Sequence, residues 1–347
     1  MFQTVDIDYW LRFLHDLPVI DVRSPSEFSK GCIPEAFNLP LLSDAERAAV
    51  GTVYRQKSKE EAIALGFDFV TPKAGHYLHQ AREISSTKGI IVHCWRGGMR
   101  SKSVAEHLCK NGISPVYVIE NGYKAFRKKV LDTFQQPYKL RTIGGYTGSG
   151  KTEMLQLLKE AGEQVIDLEG IANHKGSAFG SIGCSTQPSV EQFENTIFWQ
   201  WKDFDLTSPI WIEDESRNIG SVLLPHELYA NIRNQTLYFL DIPRSERAKY
   251  LVEGYAQKSN HTQGIEAIKT ISRKIGGQNA QLAIKLLESG EYLQVAEIAL
   301  HYYDKSYLRG MEKRSPERVK TIPFNQVNIT ENTKSLIQFI EEQESYG

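Results

Sequence analysis

Cys94 follows the apolar, β-branched run GIIVH and is itself followed by Trp95, Arg96, Gly97, Gly98, Met99 and Arg100. A thiol delivered at the end of a strand, on a loop closing onto a helix start, meets several backbone N–H groups aimed at one spot. Such a loop stabilises a thiolate and binds an anion, and Gly97 and Gly98 let the backbone curl around it. Arg100, with Arg96 assisting, adds a guanidinium able to grip oxyanion oxygens. Cys94 is therefore the reactive cysteine to expect. Cys109, in a mid-helix setting, Cys32 and Cys184 lack such a loop and read as structural.

The second chemical feature is GGYTGSGKTE at 144–153, a G-x-x-x-x-G-K-T motif after one predicted strand and before one predicted helix. Gly145, Gly148, Ser149 and Gly150 present backbone N–H groups to a pair of linked phosphates. Lys151 supplies a point charge, and the Thr152 hydroxyl suits a magnesium ion. What such a loop recognises physically is a diphosphate, so any diphosphate ester fits it as well as ATP or GTP does. Acidic partners are expected at neighbouring strand ends: Glu213 and Asp214 after PIWI, and Asp167 and Glu169 after EQVI, to orient metal, water or substrate. The glycine-rich run at 167–183 reads as an ordered functional loop.

Both features need strands to deliver them. In the first third, PVIDV (18–22), GIIVH (89–93) and PVYVI (115–119) alternate with helical patterns, one opened by a capping box of Ser43 and Glu46. That alternation implies a parallel sheet covered by helices. The pattern breaks near Pro137, which places a domain boundary between 135 and 136. Strands then recur at KLRTIGG, EQVIDL (163–168), PIWIED (209–214) and TLYFLDI (236–242). A mostly helical stretch runs from about 243 to 318, before a short VKTIPF strand and a closing helix. The fold class is α/β throughout, with a helical C-terminal extension.

At 347 residues, 41% hydrophobic and 24% charged, with a net charge of −1, the chain has the composition of a soluble two-domain protein. No apolar run is long enough for a bilayer, so no membrane partner is expected. The start, MFQTVDIDYWLRF, lacks the basic opening of a secretory signal, which makes the cytoplasm the expected location. Four scattered cysteines make no disulfide framework. Two basic clusters stand out, Lys124 to Lys129 and Lys305 to Lys320. The second includes Lys305, Arg309, Lys313 and Arg314, with Tyr302, Tyr303 and Tyr307 alongside. Ordinary solvated helix faces explain either cluster.

The segment IDVRSPSEFSKGCIPEAFNLP (20–40) and the Cys94 loop together resemble a rhodanese domain. Two departures stand out: Cys32 sits where rhodaneses often have histidine, and the loop is one residue longer than usual. Its C-x5-R spacing is also that of cysteine phosphatases, although no acidic neighbour is an obvious general acid. A rhodanese-like domain (1–135) followed by a P-loop domain (136–347) resembles the tRNA 2-selenouridine synthase family over essentially the whole chain. PLLSDAERAAVGTVYRQ, HCWRGGMRSKS, GGYTGSGKTE, DLEGIANHKGSAFG and WIEDESRNIG carry that resemblance.

The resemblance implies conversion of a wobble 2-thiouridine in tRNA to 2-selenouridine in two stages. Geranyl diphosphate first alkylates the sulfur, with the P-loop holding the departing diphosphate. Selenium from selenophosphate then replaces the S-geranyl thiol, with Cys94 as an S-selanylcysteine intermediate. It also implies a selenophosphate-supplying enzyme as a partner, and tRNA contacts for which the cluster from Lys305 to Lys320, with its tyrosines, ranks above that at 124–129. FWQW (198–201) is a surface that could accept the geranyl chain, although aromatic residues at that spacing are commonly core. The competing readings are a P-loop kinase or NTPase with a sulfur-relay domain, a C-x5-R phosphatase, and a binding module in which one domain has lost its chemistry.

Overall fold

The structure is a computed structural model that describes residues 1–177, 180, 184–255 and 261–345. The chain forms two compact units, Met1–Phe134 with Glu194–Lys202, and Gln135–Phe193 with Asp203–Gly347. The expected single cut after residue 135 thus gains a second crossing, because the end of the helix Val190–Trp201 belongs with the first unit.

In the first unit five parallel strands, β1 (Gln3–Val5), β2 (Val19–Asp21), β3 (Phe37–Asn38), β4 (Ile90–His93) and β5 (Val116–Ile119), lie in the order β1-β5-β4-β2-β3. The three central strands are those read from the sequence. The two edge strands, at three and two residues, are too short to show a pattern. Burial on both faces explains the near-continuous apolar runs. Ile20, Ile90, Val92 and Val118 pack with Val104, Ala105 and Leu108 of the helix Met99–Lys110, and that packing sets the helix start against the end of β4. The capping box forms as expected, Ser43 N donating to Glu46 Oε2 at 2.8 Å and Glu46 N to Ser43 Oγ at 3.3 Å.

FWQW is core of this same unit. Phe198 and Trp201 are 2% and 1% exposed. Phe198 meets Phe126 edge-on at 5.5 Å, Trp199 lies 6.1 Å from Trp10 and Trp201 6.4 Å from Phe134. These aromatics fill the first unit's interior, the core role that their helical spacing favours, rather than forming a wall for a prenyl chain.

The second unit has a five-stranded parallel sheet of β6 (Leu140–Gly145), β7 (Val165–Ile166), β8 (Ile210–Glu213), β11 (Leu237–Asp241) and β12 (Val319–Pro323), in the order β12-β11-β6-β8-β7. A small antiparallel hairpin, β9 (Asn218–Ile219) and β10 (Val222–Leu223), follows β8. The sheet grows in both directions from β6. A crevice therefore opens at its carboxyl end, the ligand position expected of such sheets. Leu336 and Ile340 of the closing helix Ile329–Ser345 share a core with Leu155 and Leu158 of the helix Lys151–Glu160. The helical extension has its own core, including Ile268, Ile271, Ala283, Leu287 and Val295. No helix among the described residues is long and apolar enough to cross a membrane.

Candidate functional site

Cys94 leaves β4 3% exposed, and its Sγ lies 3.3 Å from the hydroxyl of Ser101 in the first turn of the following helix. The loop is held against the next strand connection: Tyr123 N donates to Cys94 O at 2.9 Å and Lys124 N to Trp95 O at 3.0 Å. Gly97 makes this possible. It sits at φ +58°, and a Cβ there would lie 2.4 Å from the Ile119 carbonyl. Gly98 caps the helix that Met99 begins. Trp95, Arg96 and Met99 are exposed around the loop.

Arg100 does not stand free beside the thiol. Its Nη1 donates to Glu27 Oε2 at 2.9 Å, and Arg47 Nε meets the same oxygen at 2.9 Å. Burial works against the Glu27 charge, but the hydrogen bond and charge of Arg100 outweigh it, holding the carboxyl below the usual glutamate range. The acid that the structure brings to the loop is thus held ionised, so it is no proton donor for phosphatase chemistry at neutral pH.

Behind the loop, Arg23 forks onto Asp21, with Nε at 3.0 and 2.9 Å and Nη2 at 2.6 Å, and lies 3.7 Å from the centroid of the Tyr123 ring. His93 is buried beside this pair, its Nε2 3.7 Å from Asp21, and burial keeps it neutral. Asp21 and Arg23 lie inside the IDVRSPSEF signature, which was their available signal; Ser101 had none beyond its place after Arg100. Burial, then the Asp21 charge, pushes the Cys32 thiol up to about 11. A structural role for Cys32 follows from that environment.

In the second unit the phosphate loop joins β6 to the helix Lys151–Glu160. Gly150 adopts φ +76° as its N-cap, where a Cβ would come within 2.3 Å of the Ile329 side chain. Lys151 is 7% exposed and donates to Gly145 O at 3.2 Å. Burial opposes its charge, but Tyr307, Glu169, Glu215 and Glu213 outweigh burial and raise its affinity for the proton. Arg247 buttresses the loop from outside, donating to Thr147 O at 3.0 Å while forking onto Asp304 at 3.0 and 2.9 Å.

The four expected acids separate. Thr152 Oγ1 donates to Glu169 Oε2 at 3.0 Å and lies 3.5 Å from Glu213 Oε1, while Glu169 N donates to Glu213 Oε2 at 3.1 Å. Glu215, which the sequence reading passed over, joins them. Glu213 ends β8 and Glu215 lies two residues beyond it, where its carboxyl is buried near Glu169, while Asp214 between them turns to other partners. Asp214 is engaged by Arg233 at 3.1 Å and Arg314 at 2.5 Å. Its expected role at the phosphate loop is corrected accordingly. Asp167 caps the short helix Leu168–Ala172, accepting from Gly170 N at 2.7 Å. Burial, then the charges of neighbouring acids, raises Glu213 well above the ordinary value; burial and then Glu169 push Glu215 up to about 8. The described residues include no group of three or more His, Cys, Asp or Glu arranged to hold a metal ion. Of the run 167–183, residues 178, 179 and 181–183 lie outside the described residues.

The second basic cluster also divides. Lys305, Arg309 and Lys313 are exposed. Arg314 is 6% exposed, and besides Asp214 it donates to the carbonyls of Ile232, Arg233 and Gln235 at 3.3, 3.0 and 3.2 Å. Those bonds make it a structural residue and correct its expected place on an RNA-facing surface. In the first cluster, Arg127 pairs with Glu194 and Lys129 with Asp8, the latter at 2.6 Å.

A cysteine loop at the end of one parallel sheet and a phosphate loop at the end of another define a rhodanese-type unit joined to a P-loop unit. The Rhodanese-like domain family matches residues 8–129, and the tRNA 2-selenouridine synthase AAA domain family matches residues 138–343. The tRNA 2-selenouridine synthases of Nitrosomonas europaea and Shewanella frigidimarina are each 32% identical to this chain, covering 88% of it and 92% of their own length. That of Sulfurovum sp. is 32% identical over 89% of this chain and 92% of its own. The chain belongs to the tRNA 2-selenouridine synthase family.

Proposed function

We propose that this protein converts wobble 2-thiouridine in tRNA to 2-selenouridine in two stages, using geranyl diphosphate and then selenophosphate. The observation that carries this reading is the pair of anion loops, one built around Cys94 and the other around Lys151, each at the carboxyl end of its own parallel sheet.

In the first stage the thiocarbonyl sulfur attacks C1 of the geranyl group. The C–O bond to diphosphate breaks, and a proton leaves N3 of the base. Lys151 and the loop N–H groups hold the leaving diphosphate and offset the charge that builds on it. The Thr152 hydroxyl, with the Glu169 and Glu213 carboxyls beside it, is a hard-oxygen environment that fits magnesium, and Thr152 would hold the ion. When bound, magnesium supplies further positive charge against the diphosphate. In the second stage the selenium of selenophosphate, held in the Cys94 loop, attacks C2, the C2–S bond breaks to release geranyl thiol, and water takes the phosphoryl group from selenium as phosphate. The Ser101 hydroxyl lies within hydrogen-bond reach of Cys94 Sγ, and Arg100 grips the phosphate of the selenium donor.

Nucleoside mass spectrometry of thiolated tRNA, incubated with geranyl diphosphate and selenophosphate singly and together, tests this. Cys94→Ser is expected to accumulate S-geranyl-2-thiouridine and no selenouridine, whereas Lys151→Ala forms neither. Rapid ATP turnover, with thiolated tRNA left unchanged, would instead establish the P-loop NTPase reading.

A further inference from the structure

A cavity of about 600 Å3 lies within the second unit, and its lining includes Thr147 of the phosphate loop, His174, Glu215, Tyr302, Tyr303 and Tyr307. Its volume is in the range of small-molecule sites, about 300–1,000 Å3. The tyrosines belong to an aromatic surface that reaches the phosphate loop. Tyr302 and Tyr303 have ring centroids 5.3 Å apart, and Tyr307 meets Tyr146 edge-on at 6.3 Å.

Set in this lining are two buried polar atoms, Glu215 Oε1 and His174 Nδ1, with no hydrogen-bond partner among the described residues. Glu215 is only 5% exposed. Buried acceptors are almost always satisfied, so an orphaned carboxyl oxygen in the cavity lining calls for a ligand that brings a donor. A prenyl chain brings none and would seal that oxygen from water unpaired. A pyrimidine base is flat, stacks on tyrosine rings, and carries an N–H and a carbonyl side by side on one edge.

Resting on the function proposed above, we propose that this cavity is the acceptor-base pocket, receiving a pyrimidine splayed out of a single-stranded RNA loop. Glu215 Oε1 accepts the N3–H of the base, His174 in its Nδ1–H tautomer donates to the O4 carbonyl, and the tyrosines stack on the ring. With Thr147 in the lining, the base sits beside the loop that holds the diphosphate ester. The 2-thio group is thereby brought toward the carbon it attacks. Glu215 and His174 act here as positioning residues, and they select a base with a donor at N3 and an acceptor at O4.

An anticodon stem-loop carrying 5-iodouridine at the wobble position, irradiated with the full-length protein, reports the pocket directly. The adduct is expected on Tyr302, Tyr303 or Tyr307; adducts confined to residues 1–134 would overturn the proposal. His174→Phe removes the donor to O4. It is expected to weaken binding of a 2-thiouridine stem-loop at least tenfold while calorimetric binding of inorganic diphosphate stays within twofold. Unchanged stem-loop affinity, with an altered chain-length preference among prenyl diphosphates, would show the cavity to be a prenyl site and the proposal wrong. The crosslink and the binding titration need no prenyl transfer. Wild-type protein that forms no S-geranyl product therefore sinks the proposed reaction while leaving the pocket separately tested.

Discussion

Arg100 and Glu27 form an ion pair at 2.9 Å across the mouth of the Cys94 loop, joining the first turn of one helix to the first turn of another 73 residues away. The pair fixes the direction of the guanidinium while leaving it 28% exposed, so Arg100 is oriented before any anion arrives. Arg100→Ala is expected to raise KM for selenophosphate roughly ten- to hundredfold, the worth of a lost charge-assisted hydrogen bond. Glu27→Gln keeps an acceptor in place and is expected to change KM by less than about fivefold, on the same principle. Steady-state kinetics of selenation on S-geranyl tRNA separate the two variants, and equal losses would show that Glu27 does more than orient its partner.

The buried carboxyls beside Lys151 make stability depend on pH in an unusual direction. Glu215 rises from the ordinary 4.5 to about 8, and Glu213 moves the same way. Between those values the folded protein binds more protons than the unfolded chain. The stabilisation is therefore complete below the ordinary glutamate value and is lost as pH rises toward about 8. Thermal midpoints of the ligand-free protein are expected to fall from pH 5 to pH 8, and Glu215→Gln should flatten that decline. A decline of the same slope in the variant would contradict the assignment to Glu215.

Arg314 and Arg309 sit five residues apart with opposite expected consequences. Arg314→Ala leaves Asp214 to Arg233 alone and three carbonyls without their donor. It is expected to cost about 3 kcal/mol or more of stability in denaturant unfolding, as breaking a buried pair does. Arg309→Ala, at an exposed position, should leave the unfolding midpoint within about 0.5 kcal/mol of wild type. With RNA phosphates along the helix Tyr292–Met311, the Arg309 change weakens tRNA binding most at low salt and lowers the slope of log affinity against log salt by about one.

The amino-acid sequence by itself determined the features whose physics is local. A β-branched run ending in Cys94, a glycine-permitted turn, and a strand followed by G-x-x-x-x-G-K-T each specify backbone geometry within about ten residues. Both loops accordingly stand where they were read. The parallel sheets were legible for the same reason, since strands buried on both faces spell continuous apolar runs.

What only the tertiary structure decided concerns partners brought from far along the chain. Glu27 reaches Arg100 across 73 residues and Asp214 reaches Arg314 across 100, separations over which no periodicity carries information. The aromatic run 198–201 illustrates the same limit. Its helical spacing predicts a buried face but not which unit buries it, and it lies in the core of the first. Glu215 lies between these cases. It follows the predicted strand two residues after Glu213, but its place in the acidic cluster around Thr152 and Lys151 required β6, β8 and the helix after β7 to be packed together. Local geometry is written in neighbouring residues, whereas charge pairing and burial are set by where the sheet order places distant ones.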